Sequence, residues 1–355
     1  MKIVVGLSGG VDSAVSAFLL KGAGHVVIGA IMKIWDGRQT KASKGNSCYG
    51  PDENQDIEEV ENLCKLLGIP LHIVDCSSQY NEIVLKYFDD EYRGGRTPNP
   101  CVMCNQSIKF GFLPEFLKNS GVHYDRFATG HYARVTHDSK TDRYLLQKGL
   151  DDRKDQSYFL YRLNQKQLST VIFPLGEYLK TEIRKIASSA GLPVHDKKES
   201  QDFYAGDYTE LLTVKKSQGH IIDTDGKMLG KHNGTWNYTI GQRKGLGICS
   251  DRPLYVVAID AQKNQVVVGD KTGLISIGLR ASNMNIIVSK LPRTAQAKTR
   301  STSKEAPCSI SFHDNELTVM FTEPQEAITP GQSVVLYDED IVLGGGMIIE
   351  AIPVK

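Results

Sequence analysis

Two cysteines lie close together in the stretch TPNPCVMCNQSIKF, which covers residues 97–110. Cys101 and Cys104 have the Cys-x-x-Cys spacing and follow a proline-rich turn. Thiols at this spacing serve as a redox pair, as half of a metal site, or as a nucleophile with its helper. The chain has seven cysteines, and an odd number argues against a framework of structural disulfides. A catalytic or metal-binding pair is the favoured interpretation.

A second stretch with chemical potential is LSGGVDSA, near the N-terminus. Ser8, Gly9 and Gly10 can present backbone N–H groups to a phosphate, because glycine has no Cβ to block the approach. The helix predicted to follow adds free N–H groups and the positive end of its dipole, while Asp12 and Ser13 can cap it or hold a metal ion. The pattern Ser-Gly-Gly-x-Asp-Ser resembles the PP-loop of the ATP pyrophosphatases and is not a Walker A loop. We therefore expect ATP, with Mg²⁺, at this loop.

The elements that must position these stretches alternate between strand and helix in the first half of the chain. KIVVGL, HVVIGAIM and LHIVDC are apolar runs typical of buried strands, and DIEEVENLCKLLG is an amphipathic helix. KFGFLPEFLKNSG indicates a helix interrupted near Pro114, and DRFATGHYARV a strand that runs into a turn at Gly130. This rhythm predicts a Rossmann-like α/β fold with a doubly wound parallel sheet, whose ligands bind at the carboxyl ends of its strands.

The second half has few helix patterns and many short strand patterns, among them PLYVVAID, NQVVVGD, ELTVMFTE and QSVVLYDED. Closely spaced short strands predict a small central domain and a C-terminal β-barrel. We expect a catalytic domain over residues 1–205, a central domain over 206–272 and the barrel over 273–355. Residues 271–304 contain seven Lys or Arg and no Asp or Glu, which indicates either a solvated basic face or a footprint for a phosphate backbone.

The overall composition is that of an ordinary globular protein, with 40% hydrophobic and 23% charged residues. The net charge of +1 gives no sign of a wholly basic nucleic-acid binder. No run approaches the ~18 apolar residues of a membrane span. The apolar part of MKIVVGLSGG is too short for the core of a signal peptide. We therefore expect a cytoplasmic protein with no membrane partner.

Several long blocks, in the same order along nearly the whole chain, closely resemble the bacterial tRNA 2-thiouridylases. They are GLSGGVDSAVSAFLL, MKIWD, GRTPNPCVMCNQSIKF, ATGHYAR, KDQSYFLY, YTIGQRKGLGI and ITPGQSVVLYDEDIVLGGGMI. The resemblance implies an ATP-dependent tRNA sulfurtransferase that adenylates O2 of wobble uridine 34, replaces that oxygen with sulfur, and releases AMP and pyrophosphate. Adenylation turns a poor leaving group into a good one, and Mg²⁺ is expected to neutralise the phosphates.

The same resemblance assigns roles to individual residues. The nucleotide site falls on Gly6, Leu7, Ser8, Gly9, Gly10, Val11, Asp12, Ser13, Met32 and Gly130. Contact with the target base falls on Asn99, Pro100 and Cys101. Contacts with tRNA fall on His131, Lys154, Asp155, Gln156, Arg300, Ser301 and Gln332, although the family usually has an aromatic residue at the position of Ser301. The catalytic residues are expected to be Asp12, Cys101 and Cys104.

The chain departs from the family pattern at both cysteine positions. The family's first catalytic cysteine, in a block of the form NPDxxCN, matches Cys104. The second block is present as ESQDFYAGD, but Tyr204 stands where the family has its persulfide-carrying cysteine. Cys101 replaces the family's aspartate. One thiol is therefore lost from one arm of the site, and another is gained beside Cys104.

Three interpretations of the thiol pair remain open. In the first, Cys101 takes over the missing role, so that one thiol carries a persulfide and the pair closes as a disulfide; Cys-x-x-Cys spacing lowers thiol pKa and suits such exchange. In the second, Cys48, Cys101 and Cys104 hold a [4Fe-4S] cluster whose fourth iron binds sulfide. In the third, Cys101 is a passive replacement and thiolation is lost.

Two other functions compete with the sulfurtransferase. A PP-loop ligase that delivers an amine to an activated carbonyl predicts no role for Cys104. A tRNA-binding protein that has lost thiolation is consistent with Tyr204 in place of the persulfide cysteine. For the sulfurtransferase, the expected partners are the anticodon stem-loop of tRNA and a sulfur donor, either a persulfide-carrying protein or free sulfide.

Overall fold

A computed structural model describes residues 1–38, 40, 47–194, 197, 202–214 and 216–354. Its strands are β1 (Lys2–Leu7), β2 (Val26–Lys33), β3 (Leu71–Asp75), β4 (Arg126–Thr129), β5 (Ala133–Asp138), β6 (Arg143–Lys148), β7 (Val171–Ile172), β8 (Gly219–Asp223), β9 (Met228–His232), β10 (Tyr255–Asp260), β11 (Gln265–Gly269), β12 (Ile275–Ile286), β13 (Thr294–Lys298), β14 (Ala306–His313), β15 (Glu316–Glu326), β16 (Ser333–Asp338) and β17 (Ile341–Pro353). Its α-helices are α1 (Val11–Gly22), α2 (Glu53–Leu67), α3 (Ser77–Gln79), α4 (Lys86–Arg93), α5 (Pro100–Cys104), α6 (Leu113–Asn119), α7 (Ser157–Leu160), α8 (Gln165–Leu168) and α9 (Lys180–Ser189).

The first sheet is parallel throughout, with strand order β3-β2-β1-β4-β7. Its central strand, β1, is apolar on both faces: Ile3 and Val5 pack into one buried cluster, and Val4 packs into another on the opposite side. The chain moves outward from β1 through β2 and β3, and then returns to the other side of β1 with β4. The strand order therefore switches at β1, where ligands of such sheets bind. The predicted doubly wound parallel sheet is confirmed.

The helical segment that carries the thiol pair is more continuous than predicted. Helix α5 leads into a π-helical stretch, Asn105–Phe112, and then into α6. The interruption predicted near Pro114 takes the form of a change from π-helical to α-helical backbone between Phe112 and Leu113, and Pro114 lies in the first turn of α6. The irregularity precedes the proline, as a change to hydrogen bonds between residues five apart.

The strand predicted around Gly130 is in fact two strands in two sheets. β4 ends at Thr129 in the parallel sheet, whereas β5 pairs with β6 as an antiparallel hairpin. This hairpin joins the C-terminal sheet through a pairing of Gln147 with Ile341. A single periodic pattern concealed this change of sheet, because both strands are short and the turn between them is tight.

The second half is built from strands, as predicted. A sheet with order β10-β11-β8-β9 forms the central unit, with Val256, Val266 and Val268 in its buried cluster. In the last unit β12, β15, β14, β13, β16 and β17 follow one another, and β12 also pairs with β17, which closes a six-stranded barrel. The predicted barrel is confirmed. Among the described residues, no helix has the length and apolar character needed to cross a membrane.

Candidate active site

The loop between β1 and α1 has the form of an anion cradle. Gly9 has a φ of +72°, a conformation that glycine adopts without strain. The Ser13 hydroxyl accepts a hydrogen bond from the Ser8 N–H at 3.2 Å and donates one to the Gly10 carbonyl at 3.0 Å, which holds the loop in its curve. Gly10 begins α1 as an N-cap without a capping side chain, so the helix N–H groups face the loop. The loop therefore has the backbone geometry needed to bind phosphate.

Gly130 brings the end of β4 against this loop. A Cβ added to Gly130 would lie only 2.7 Å from the Asp12 carbonyl carbon and from the Ser13 nitrogen. Only glycine permits so close an approach. Within the sheet, Gly6 pairs with Thr129 and Leu7 with Ile31, so Met32 of β2 lies one residue beyond the partner of Leu7. The structure thus gathers the predicted nucleotide-site residues at one edge of the sheet.

Asp12 is paired with a buried cation that sequence reasoning missed. The Lys180 ammonium lies 2.7 Å from both carboxylate oxygens of Asp12, and the Tyr132 hydroxyl donates to one of them at 2.8 Å. Lys180 is only 7% exposed and is the first residue of α9. A lysine is unfavourable at a helix N-terminus, where the dipole is positive. This misplaced charge was the signal in the sequence that could have identified Lys180.

A second lysine lies near Gly9 of the loop. The Lys197 ammonium contacts Asp56 and Glu59 of α2, each at 2.7 Å, and also lies close to Gly9. Burial acts to lower the pKa of Lys197, but its two carboxylate partners raise it overall. Two lysines, Lys180 and Lys197, therefore lie near the loop, and each is held by carboxylates.

Cys101 and Cys104 lie on α5, three residues apart and hence on one face of the helix. Both thiols are half-buried and pack against the larger buried cluster of the first domain. Burial raises the pKa of Cys101 to about 12 and that of Cys104 to about 11. Lys109, on the π-helical stretch that follows, acts in the opposite direction on both thiols but is outweighed. The lowered thiol pKa expected from the spacing is thus contradicted, because desolvation disfavours the thiolate.

The thiol pair and the phosphate loop meet at the same edge of the sheet. His131 follows Gly130, and its ring centroid lies 5.6 Å from that of Phe110, beside Lys109. Phe110 in turn packs against Phe127 of β4, with centroids 5.9 Å apart. A continuous series of contacts therefore links Asp12, through the Gly130 turn, to the helical segment of Cys104.

Cys48 is exposed and lies within electrostatic range of both Cys101 and Cys104. Three thiols are suitable donors for an iron–sulfur cluster. However, the part of the chain that the structure describes contains no group of three or more His, Cys, Asp or Glu side chains placed to hold a metal ion. Within that part of the chain, the structure therefore does not show a site for the expected [4Fe-4S] cluster.

Tyr204 fills the position of the missing cysteine with a fixed aromatic side chain. It is only 2% exposed, and its hydroxyl donates to Glu210 at 2.5 Å and also contacts Thr40. Its block is described from Asp202 onward, and residues 199–201 lie outside the described residues. Beside Tyr204 is a cavity of about 680 Å³ between the first and central domains. The cavity is lined by Ser47, Tyr92, Asp202, Tyr204, Ala205, Gly206, Asp207, Tyr208, Thr209, Leu212, Trp236, Asn237 and Thr239.

Two residues predicted to contact tRNA make hydrogen bonds between domains in this structure. The Arg300 guanidinium donates to the carbonyls of Ile240 and Ala327 at 3.1 and 3.0 Å, and burial lowers its pKa. The Gln332 amide donates to the carbonyls of Thr97 and Pro98 at 3.1 and 2.9 Å. Gln332 therefore ties the barrel to the turn that precedes the thiol pair.

The remaining predicted contacts lie near the Gly130 turn, at the start of α5 and in the C-terminal unit. Burial, together with the nearby Lys109, lowers the pKa of His131 well below the ordinary histidine value, which favours the neutral ring; Nδ1 lies 2.7 Å from the Thr129 hydroxyl. Gln156 accepts a hydrogen bond from the Tyr132 N–H at 3.0 Å. Asn99 is buried, and its N–H donates to the Tyr87 hydroxyl at 3.1 Å. The others are half-buried: Pro100, Lys154, Asp155 and Ser301.

Comparison with known proteins covers the whole chain. Family models described as the tRNA methyl transferase HUP domain, the tRNA methyl transferase PRC-barrel domain and the aminomethyltransferase beta-barrel domain match residues 1–204, 211–270 and 276–348. The chain is 50% identical to a "tRNA-specific 2-thiouridylase MnmA" of Endomicrobium trichonymphae, over 98% of this chain and 99% of the relative. It is 48% identical to "tRNA-specific 2-thiouridylase MnmA 1" of Caldanaerobacter subterraneus subsp. tengcongensis, over 98% and 97%. A solved 4-thiouridine synthetase–RNA complex with bound ATP overlaps 60% of this chain and 45% of its own, at 20% identity and a TM-score of 0.36.

Proposed function

Because this chain belongs to the tRNA-specific 2-thiouridylase MnmA family, we propose that it is an ATP-dependent tRNA sulfurtransferase. Its substrates are ATP and a tRNA with uridine at position 34, and its products are 2-thiouridine, AMP and pyrophosphate. The observation that carries the proposal is the convergence of the phosphate loop and the thiol pair on one edge of the sheet, through Gly130 and His131.

The loop supplies the binding energy for ATP. Backbone N–H groups of Ser8 to Gly10 and the N-terminus of α1 face the phosphates, and the ammonium groups of Lys180 and Lys197, each paired with carboxylates, lie near the loop. The expected Mg²⁺ would neutralise phosphate charge and, as is usual for this ion, would be held largely by the nucleotide itself. Asp12 keeps Lys180 oriented toward the loop.

The thiol pair supplies the site of sulfur chemistry beside the activated base. Following the family resemblance, we assign Asn99, Pro100 and Cys101 to the target base; in the structure they lie at the start of α5. The base must leave the anticodon stack before the thiols can reach it. We retain Cys104 as the nucleophilic thiol. Its raised pKa means that it is protonated at neutral pH until substrate or a nearby cation stabilises the thiolate.

Several finer assignments belong to the same proposal. The catalytic domain extends over 1–205, the central domain over 206–272 and the barrel over 273–355, and the protein acts in the cytoplasm. The tRNA backbone is expected to follow the basic residues of 271–304. The sulfur donor is a persulfide or free sulfide. The second candidate, a tRNA-binding protein that no longer thiolates, is favoured only by Tyr204 and its fixed hydroxyl.

A substitution at Gly130 tests whether the phosphate loop and the thiol pair act together at one edge of the sheet. A Gly130→Ala substitution places a methyl group 2.7 Å from the backbone of the loop, which must move to accept it. We expect tRNA-dependent release of pyrophosphate from ATP to fall at least about 100-fold, since misplacement of about 1 Å can have that effect. Gly22→Ala, at the far end of α1 and with no atom within 4 Å of the new methyl, is the control and should leave the rate unchanged. Equal rates in both variants would contradict the assignment of this loop.

A further inference from the structure

The segment around Cys48 is attached to the arm of the site that has lost its cysteine. The Tyr49 N–H donates to the Phe203 carbonyl at 2.8 Å, and Ser47 forms a parallel bridge with Asp202. Cys48 lies between these two attachment points. It is therefore held beside the position of Tyr204, although the two residues are far apart in the sequence.

Aromatic packing fixes the same segment from within. Tyr49 is fully buried, and its ring stacks on Tyr80 with centroids 5.1 Å apart. The Tyr204 ring lies 6.3 Å from that of Tyr49. The residue next to Cys48 is thus anchored in the core, while Cys48 itself remains exposed.

The three thiols differ in their access to solvent. Cys101 and Cys104 are half-buried beneath the site, whereas Cys48 is exposed and still within electrostatic range of both. A sulfur donor must bring its sulfane sulfur to a thiol that it can reach, and the recipient must then reach the reacting base. Cys48 meets the first requirement better than either member of the pair, and the attachments of its neighbours to Phe203 and Asp202 place it on the arm of the site that carries Tyr204.

We infer that Cys48 receives the sulfur atom and carries it as a persulfide, in place of the cysteine whose position Tyr204 occupies. This inference rests on the proposed sulfurtransferase function and names the entry point of the sulfur. This mechanism differs from one in which Cys101 and Cys104 act without Cys48. With Cys48 as the recipient, the two less accessible thiols do not have to contact the sulfur donor.

The chemistry balances with two co-reactants, a persulfide donor and a dithiol reductant. The Cys48 thiolate attacks the terminal sulfur of the donor persulfide and forms Cys48–S–SH. The S–S bond of the donor breaks, and the donor leaves as a thiol. Its terminal sulfur attacks C2 of the adenylated uridine, and AMP leaves with the C2–O electron pair. A thiol of the pair, Cys101 or Cys104, then attacks the Cys48 sulfur. The new disulfide releases 2-thiouridine, and the dithiol reduces the disulfide.

The test begins with sulfur loading of the full-length protein. The chain is treated with glutathione persulfide, alkylated and digested, and the peptides are analysed by mass spectrometry for one added sulfur atom. We expect the sulfur on Cys48, and at least about tenfold less on Cys249, an equally exposed thiol in the β-rich half that serves as the internal control. Equal loading of Cys48 and Cys249, or loading confined to Cys101 and Cys104, would overturn the inference.

A second measurement follows one turnover with tRNA and ATP in the absence of reductant. The expected product is a disulfide between Cys48 and a member of the pair, in the same amount as 2-thiouridine. Cys48→Ser should lose at least about 90% of 2-thiouridine formation but keep tRNA-dependent pyrophosphate release, and Cys249→Ser should keep both. A Cys101–Cys104 disulfide, or 2-thiouridine that requires added iron and forms without sulfur on Cys48, contradicts the inference. Absence of pyrophosphate release in the unsubstituted protein would instead count against the proposed function.

Discussion

The ion pair between Lys180 and Asp12 allows the phosphate loop to be tested without any ligand. Both side chains are largely removed from solvent, with side-chain exposures of 8% for Lys180 and 28% for Asp12. Removing one member of a buried pair costs about 3–5 kcal/mol, because the other charge is left without its partner. Asp12 keeps some solvent and the Tyr132 hydroxyl. We therefore expect Lys180→Met to reduce the free energy of unfolding by about 2–3 kcal/mol.

The comparison with a double variant distinguishes the ion pair from simple packing. In Asp12→Asn/Lys180→Met neither charge remains, so most of the loss should be recovered, to within about 1 kcal/mol of the original protein. The measurement is denaturant unfolding, with the midpoint compared at constant m-value. Lys86→Met, which removes an exposed ion pair with Asp90, should cost less than about 1 kcal/mol. A double variant no more stable than Lys180→Met would refute this reasoning.

Three further predictions follow from contacts around the thiol pair. Gln332→Ala removes two hydrogen bonds to the turn before α5 and should cost about 1–3 kcal/mol in unfolding, whereas Gln325→Ala, which removes only local bonds, should cost under 0.5, roughly the range of neutral surface changes. Cys101 and Cys104, with pKa values raised to about 12 and about 11, should react with iodoacetamide slowly at pH 7 and faster as pH rises. The contribution of their burial to stability is full below the pKa of the unfolded thiol and should be lost above it. Rapid labelling at pH 7 would contradict the burial of these thiols. His131 has a lowered pKa, so its contribution to stability is full above the ordinary histidine pKa and is lost as pH falls through its pKa in the folded protein. The NMR shifts of the ring should therefore still report neutral imidazole at pH 6. A protonated ring at that pH would be inconsistent with its burial.

The sequence was sufficient for the parallel sheet and the phosphate loop because their signals are local. Apolar runs such as that of β1 identify a strand buried on both faces, and the Gly9–Gly10 turn follows it directly. The barrel was also predictable, from its closely spaced strands. These features depend on residues near one another in the chain, where periodicity and turn chemistry apply.

The missed features depend on tertiary contacts. The Lys180–Asp12 pair joins residues on two helices, and nothing in local spacing connects them. The thiol pKa values of Cys101 and Cys104 were misjudged, because spacing alone does not reveal how deeply α5 is packed. Burial, rather than residue type, decided each of these cases.

The most direct test of the account is the reaction itself. The purified protein is incubated with unmodified tRNA, Mg-ATP and a sulfur donor, and the digested nucleosides are measured by mass spectrometry alongside AMP and pyrophosphate. We predict 2-thiouridine at position 34, with AMP and pyrophosphate each released in equal amount to it. Pyrophosphate release without 2-thiouridine would show that activation persists while sulfur transfer is lost. Binding of tRNA with neither product would contradict the central claim and support a tRNA-binding protein.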